Sequence, residues 1–150
     1  MNGNLTENQP LARIILNLFK NFEFELLNEI HKNNFNDITM SDLQIMHFIQ
    51  QDGCLMADVV KRAGITKQAV GKSIQSLAKR KYLKLSDAEN DKRAKKIQLT
   101  EKGKRLAENA IQIIQKIETK YIQKIGKDRF SKIKSELIDL SKCHLQQEGK

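Results

Sequence analysis

Between residues 11 and 30 the apolar positions fall at Leu11, Ile14, Ile15, Leu18, Phe19, Phe22, Leu26 and Ile30. That three-and-four spacing is one face of a helix, predicted over about residues 10–32 with Pro10 suited to its first turn. The polar residues 1–9 ahead of it are expected to fray. The segment HKNNFND (31–37) reads as a loop. Thr39 then opens T-M-S-D, where a threonine can accept from a first-turn amide and Asp42 suits the positive end of the helix dipole. Leu43, Ile45, Met46, Phe48 and Ile49 fill this short second helix, and QDG (51–53) is expected to end it, with Gly53 just past its last turn. Leu55, Val59, Val60 and Ala63 predict a third short helix, closed by Gly64, with Ile65 as a buried turn residue. Thr66 is placed to cap a fourth helix. In that helix Val70, Ile74 and Leu77 face inward, and Lys67, Gln68, Gly71, Lys72 and Gln75 face outward.

After the fourth helix the period changes. Tyr82, Leu83 and Leu85 predict a short strand, and Lys96, Ile97, Gln98 and Leu99 alternate as a return strand, with SDAENDKRA (86–94) as a polar tip. Thr100 is then positioned to cap a fifth helix, with Glu101 near its positive end. Leu106, Ala110, Ile113, Ile114, Ile117 and Tyr121 give that helix a long apolar stripe, and Gly126 breaks it. Phe130, Ile133, Leu137, Leu140 and Leu145 repeat through a sixth helix. Two short helices joined at a glycine, the second with a slim polar outer face, have the layout of a helix-turn-helix. A hairpin directly after it is a wing. The expected fold is mainly α with a small β-hairpin wing. Gly71, in the middle of a helix, costs about 1 kcal/mol against alanine. It either leaves room for close approach by DNA or is simply tolerated.

The charge is concentrated in this centre. Residues 61–105 carry 15 Lys/Arg against 4 Asp/Glu, leaving 12 against 14 elsewhere in a chain of net charge +9. A basic block on a near-neutral scaffold is the footprint of a nucleic-acid partner, double-stranded DNA for a helix-turn-helix. A merely solvated surface would not gather the excess in one stretch. Within the block, Thr66 can offer its hydroxyl or the helix N-terminus to phosphate. Gln68 can pair bidentately with adenine. Lys67 and Lys72 can read guanine or hold phosphate, and phosphate is favoured because most such contacts position rather than specify.

Other chemistries find little support. The 150 residues fit one domain with material for a real core. No apolar run approaches the ~18 residues of a membrane span, and MNGNLTENQP lacks the layout of a signal peptide, so a cytoplasmic protein is expected. Cys54 and Cys143 form no disulfide framework and match no zinc spacing. Cys54 is expected to be buried and inert. Lys142 and His144 could lower the thiol pKa of Cys143 if it is exposed. His31, His47 and His144 have no paired ligand spacing, so no metal site is expected. Cys143 and His144 are neighbours on a helix and diverge by about 100°, which is poor geometry for a nucleophile and its base. No enzyme activity, catalytic residue or cofactor is expected.

At the wing the sequence becomes specific. Asp91-Lys92-Arg93, then AKKIQ, then Leu99-Thr100 follow GITKQAVGKSIQSLAKRKYL and precede TEKGKRL. This run strongly resembles the MarR family of bacterial transcription regulators, by motif over residues 39–106 and by helix order in the flanks. The resemblance implies a homodimeric winged helix-turn-helix protein forming a single domain over residues 1–150. Residues 39–100 would form the DNA-binding lobe, and 10–35 and 101–146 the dimerisation helices. The fourth helix would enter the major groove. Arg93 would be the wing arginine that reaches the minor groove, and Asp91 the acid that orients it. For Asp91 a local turn bond is the plainer role and does not exclude the other. The three long apolar stripes, more than a small winged helix can cover, independently favour a dimer.

Many members of the family respond to small phenolic compounds in a cleft between dimer helices and DNA-binding lobe. Here no residue identifies such an effector, and Phe19 and Phe22 read as core rather than pocket. A reactive cysteine near the N-terminus, as the peroxide-sensing branch has, is absent from the first helix, and the histidines and acids of the zinc-sensing branch are not matched. The expected function is a sequence-specific regulator, a repressor at a pseudo-palindromic operator, with a small-molecule effector as a further partner. Two alternatives stand beside it: a nucleoid-type protein of low sequence preference, and a redox- or ligand-sensing module.

Overall fold

The computed structural model describes residue 6 and residues 8–145, without the side chains of His144 and Leu145. The expected fraying of residues 1–5 and 7, the His144 side chain beside Cys143, the place of Leu145 in its stripe and the end of the last helix at residue 146 lie outside the described residues. The elements are α1 (Leu11–Lys32), α2 (Met40–His47), β1 (Cys54–Leu55), α3 (Met56–Ala63), α4 (Lys67–Lys79), β2 (Leu83–Ala88), β3 (Asp91–Leu99), α5 (Glu101–Ile125) and α6 (Lys127–Leu145). They fall into two compact units, Met1–Ile113 and Ile114–Lys150, with the division inside α5.

In the first unit α1 begins after Pro10 and ends at Asn33. Its apolar stripe divides: Leu26 and Ile30 are buried, whereas Leu11, Ile15, Leu18 and Phe19 stand exposed. The start of α2 is a reciprocal capping box. The Asp42 N–H donates to Thr39 Oγ1 at 3.3 Å, and the Thr39 N–H donates to Asp42 Oδ2 at 2.9 Å. The helix stops at His47, earlier than the sequence suggests, and Gly53 is not its terminal residue. Gly53 instead sits at φ 86° where the chain enters β1, and a Cβ there would lie 2.6 Å from Gln98 Cγ and 2.8 Å from the Ile97 carbonyl oxygen. Glycine is needed because β3 passes that close.

The sheet has the order β1-β3-β2 and is antiparallel throughout. Cys54 pairs with Ile97 and Leu55 with Lys96, so Leu55 belongs to a strand and not to the third helix. Two residues are too few to show a period of two, and Leu55 also falls at helical spacing from Val59. Gly64 closes α3 in the left-handed region at φ 64°. Ile65, expected inside, is 49% exposed. The helices on either side of it send Val59, Val70 and Ile74 into the core instead, all fully buried.

The wing is longer than its apolar residues suggest. Pairing runs from Leu83 with Leu99 to Asp87 with Lys95 and, after a register shift, Ala88 with Asp91. Only Glu89 and Asn90 form the tip. Between Ser86 and Lys96 no residue is buried, so alternation is silent there. The core gathers Leu26, Ile30, Ile38, Ile45, Val59, Val70, Ile74, Leu77, Tyr82, Ile97 and Leu106, all buried. Thr100 caps α5 by accepting from the Gly103 N–H at 3.1 Å. Gly103 lets α5 approach the base of β2, since a Cβ there would overlap the Tyr82 carbonyl.

In the second unit Gly126, at φ 89°, separates α5 from α6. Tyr121 and Phe130 meet with ring centroids 6.4 Å apart, and Lys134 pairs with Glu118 at 3.2 Å. Ile117 is buried, while Ile133, Leu137, Ile138 and Leu140 of α6 are exposed.

Candidate nucleic-acid interface

The N-terminal end of α4 is built by two small devices. Gly64 turns the chain in the left-handed region, and Thr66 takes an extended backbone so that its Oγ1 accepts from the Ala69 N–H at 3.2 Å. The hydroxyl satisfies one first-turn amide and leaves the others facing solvent. Val70, Ile74 and Leu77 lock the inner face of the helix into the core. Lys67, Gln68 and Lys72 lie on the outer face and are exposed. Among the described residues their side chains make no hydrogen bond or ion pair. An ideal Cβ on Gly71 would have nothing within 4 Å, so packing within the chain does not require a glycine there.

The wing presents Arg93 from β3, exposed and without a side-chain partner among the described residues. Asp91 does not hold its guanidinium. The Asp91 carboxylate accepts from the Arg93 backbone N–H at 2.8 Å, the local turn bond of an aspartate two residues back. It shapes the backbone from which Arg93 projects, just past the Glu89–Asn90 tip. Lys95 is held across the hairpin by Asp87 at 2.5 Å, which leaves it a weaker candidate for a partner than its charge suggests.

The C-terminal end of α4 is bonded as heavily as the other end is free. Arg80, the residue after the helix, donates to Asp42 Oδ1 at 2.7 Å, to Asp42 Oδ2 at 3.2 Å and to the Asp37 carbonyl at 2.6 Å. It also donates to Ser76 Oγ at 3.2 Å. Tyr82 donates its hydroxyl to Asp37 Oδ1 at 2.7 Å. Lys102, in the first turn of α5, donates to the Arg80 carbonyl at 3.1 Å and lies 4.0 Å over the Tyr82 ring. A cation at those last carbonyls also meets the negative end of the α4 dipole. Burial alone would push the Asp42 carboxyl up, but the bonds from Arg80 and Thr39 outweigh it and hold it below its ordinary value. The Asp37 carboxyl is lowered chiefly by the Tyr82 hydrogen bond. The Tyr82 hydroxyl is raised, by burial first and by Asp37 second.

None of this cluster stands out in the sequence. Asp42 reads there only as a helix cap, and Arg80 and Lys102 as members of the basic block. The available signal was Asp42 itself, an acid at a cap position that the fold buries.

Other candidate chemistry is sparse. Cys54 is buried, as expected, and Cys143 is exposed on α6. Among the described residues no group of His, Cys, Asp and Glu could hold a metal ion, and no helix is long and apolar enough to cross a membrane.

These elements define a winged helix: a helix-turn-helix of α3 and α4, a hairpin wing and a third strand that closes the sheet. Residues 36–94, most of the winged-helix lobe, match the sequence model of the MarR family. The Streptococcus pneumoniae FabT structure in complex with DNA superposes at a TM-score of 0.73 with 19% identity, over 92% of this chain and 99% of that one. S. aureus MepR in its DNA-binding conformation gives 0.71 with 19% identity, over 90% and 98%. Wild-type apo MarR from E. coli gives 0.68 with 20% identity, over 89% and 98%. At such identity these likenesses establish the fold. No curated protein matches the chain.

Proposed function

We propose that this protein is a sequence-specific DNA-binding transcription regulator that binds a pseudo-palindromic operator as a homodimer and represses by occupying a promoter. The carrying observation is the outer face of α4. Lys67, Gln68 and Lys72 stand exposed and, among the described residues, unpartnered on a helix anchored by three fully buried side chains. Such a face loses nothing internal when it meets base edges and phosphates. Arg93 on the wing adds a planar fork suited to a narrow, acceptor-rich minor groove. Thr66 turns a helix N-terminus toward the same side, where phosphate is favoured. Asp91 shapes the wing backbone beneath Arg93.

The dimer belongs to this reading because the single chain leaves large apolar side chains exposed on α1 (Leu11, Ile15, Leu18, Phe19) and on α6 (Ile133, Leu137, Leu140). Together with α5 these helices would make the interface. The domain division follows: residues 39–100 as the DNA-binding lobe, with 10–35 and 101–146 dimerising. A two-fold dimer implies half-sites about one helical turn, ~10 bp, apart. Such a protein would be cytoplasmic and would do no covalent chemistry. Relief by a small effector fits the same reading and would appear as reciprocal weakening of operator and effector binding.

Selection from random duplexes, followed by competition against bulk DNA, tests the proposal. The selected site should win by at least ~10³. Salt-dependent binding without that preference would identify a nucleoid-type protein. No salt-dependent duplex binding at all would leave a redox- or ligand-sensing module. Sedimentation should find a dimer at micromolar concentration, and a folded monomer there would remove the two-fold operator from the proposal.

A further inference from the structure

Arg80 joins more elements than any side chain at the proposed interface. Its guanidinium bonds to Asp42 in α2, to the Asp37 carbonyl ahead of α2 and to Ser76 one turn back in α4. Its own carbonyl accepts from Lys102 in α5. Tyr82, two residues on at the base of the wing, bonds to Asp37 through its hydroxyl and accepts the Thr100 N–H through its carbonyl at 3.0 Å. The start of α2, the end of α4, the base of β2 and the start of α5 are therefore crossed at one joint. The ion pair is shielded, with the side chains of Arg80 and Asp42 only 24% and 8% exposed.

The lever arm matters. From Lys67 to Lys79 the 13 residues of α4 span about 20 Å at the ordinary helical rise. A tilt of about 6° at the joint would then move the far end by about 2 Å, enough to break a base contact that tolerates only a few tenths of an ångström. Helix packing alone leaves such tilts soft, because apolar contacts have no direction. A planar fork that holds two carboxylate oxygens and a carbonyl does have one.

We propose that Arg80 is a positioning residue for DNA recognition: clamped to Asp42, Asp37 and Ser76, it fixes the tilt of α4 against α2, the wing base and the first turn of α5. Lys67, Gln68 and Lys72 are thereby presented in register with Arg93. Arg80 touches no base in this scheme and acts through the helix it ends. The inference rests on the proposed DNA-binding function.

The test uses the full chain, a duplex selected from a random pool by the wild type, and sonicated bulk DNA as the non-specific probe. Asp42→Asn removes the charge partner with little change in shape. Arg80→Lys keeps the charge but cannot serve Asp42 and the Asp37 carbonyl together. Both are measured where far-UV circular dichroism and urea titration show them folded. Affinity for the selected duplex should fall about ten-fold, the worth of one misread base pair, with bulk affinity nearly unchanged. Arg80→Lys should regain stability relative to Arg80→Ala without regaining the preference. An Ile30→Val variant, destabilised away from the joint, should keep the wild-type ratio of selected to bulk affinity.

A wild-type ratio in both folded joint variants overturns the inference. A wild type with no preference overturns the proposed function instead. If neither variant folds, Lys102→Ala decides, since it removes the bond to the Arg80 carbonyl and the cation over the Tyr82 ring while leaving the Arg80–Asp42 pair in place. A loss of preference of about two-fold or more supports the positioning role, and an unchanged ratio overturns it.

Discussion

The two ends of α4 differ as two kinds of protein surface. At the N-terminal end Lys67, Gln68 and Lys72 have no partners among the described residues, and Thr66 makes only its cap. At the C-terminal end Arg80 alone donates to Asp42, Asp37 and Ser76. Both ends are basic, and their compositions are alike. A cation already committed to a shielded carboxylate contributes to stability and has little left for a phosphate. A cation with no partner contributes almost nothing to stability and keeps its whole charge for one. Charge in the sequence therefore overstates the interface: Arg80 and Lys102 are turned inward, and Lys95 and Lys104 are paired with Asp87 and Glu101.

If the comparison is right, substitutions at the two ends separate stability from binding. The largest effect is expected at the bonded end. Arg80→Ala should lower the unfolding free energy by about 2–3 kcal/mol, toward the lower side of broken buried pairs because the arginine keeps some solvent access. A urea titration measures it, and a change within ~0.5 kcal/mol, the range of ordinary surface sites, would erase the distinction between the ends.

The same joint predicts a pH dependence. Asp42 and Asp37 are held below their ordinary value near 3.8. Their contribution is present above the unfolded pKa and is lost as pH falls through the lower folded one. The stability gap between wild type and Asp42→Asn should be widest near neutrality and narrow below about pH 4. A gap that widened on acidification would contradict the charged pair.

At the free end Gln68→Ala should leave the urea midpoint unchanged. It should relax base preference at one position per half-site, by ~1–3 kcal/mol for a lost bidentate contact. Binding to an array of one-base operator variants reads this directly. An unchanged ranking would move specificity to Thr66, Lys67 or DNA shape. The smallest effect sharpens the comparison most. Gly71→Ala should stabilise the free protein by about 1 kcal/mol, since alanine favours the helix and the Cβ meets nothing within the chain. If close approach to DNA is the reason for glycine, the more stable variant binds its operator less tightly. Unchanged binding would mark Gly71 as merely tolerated.

How much of this was legible depends on the range of the forces involved. The helices, the caps at Thr39, Thr66 and Thr100, the breaks at Gly64 and Gly126, and the inward set Val70, Ile74 and Leu77 follow from spacing within a turn or two. The sequence carries that information locally. The place of Lys67, Gln68 and Lys72 on an exposed face follows from the same period, whereas Arg93 was legible only as part of a polar stretch and through the wing motif. The tertiary structure alone decided the rest. Strand β1 exists only because β3 lies beside it, and the outer half of the wing pairs through its backbone with no apolar pattern to announce it. Ile65 stays outside while Val59, Val70 and Ile74 on the flanking helices are buried. Arg80 finds Asp42 from 38 residues away, and nothing local distinguishes it from the other cations of the block. A side chain's periodicity says which way it faces, but its partner is chosen by what the fold brings to that face.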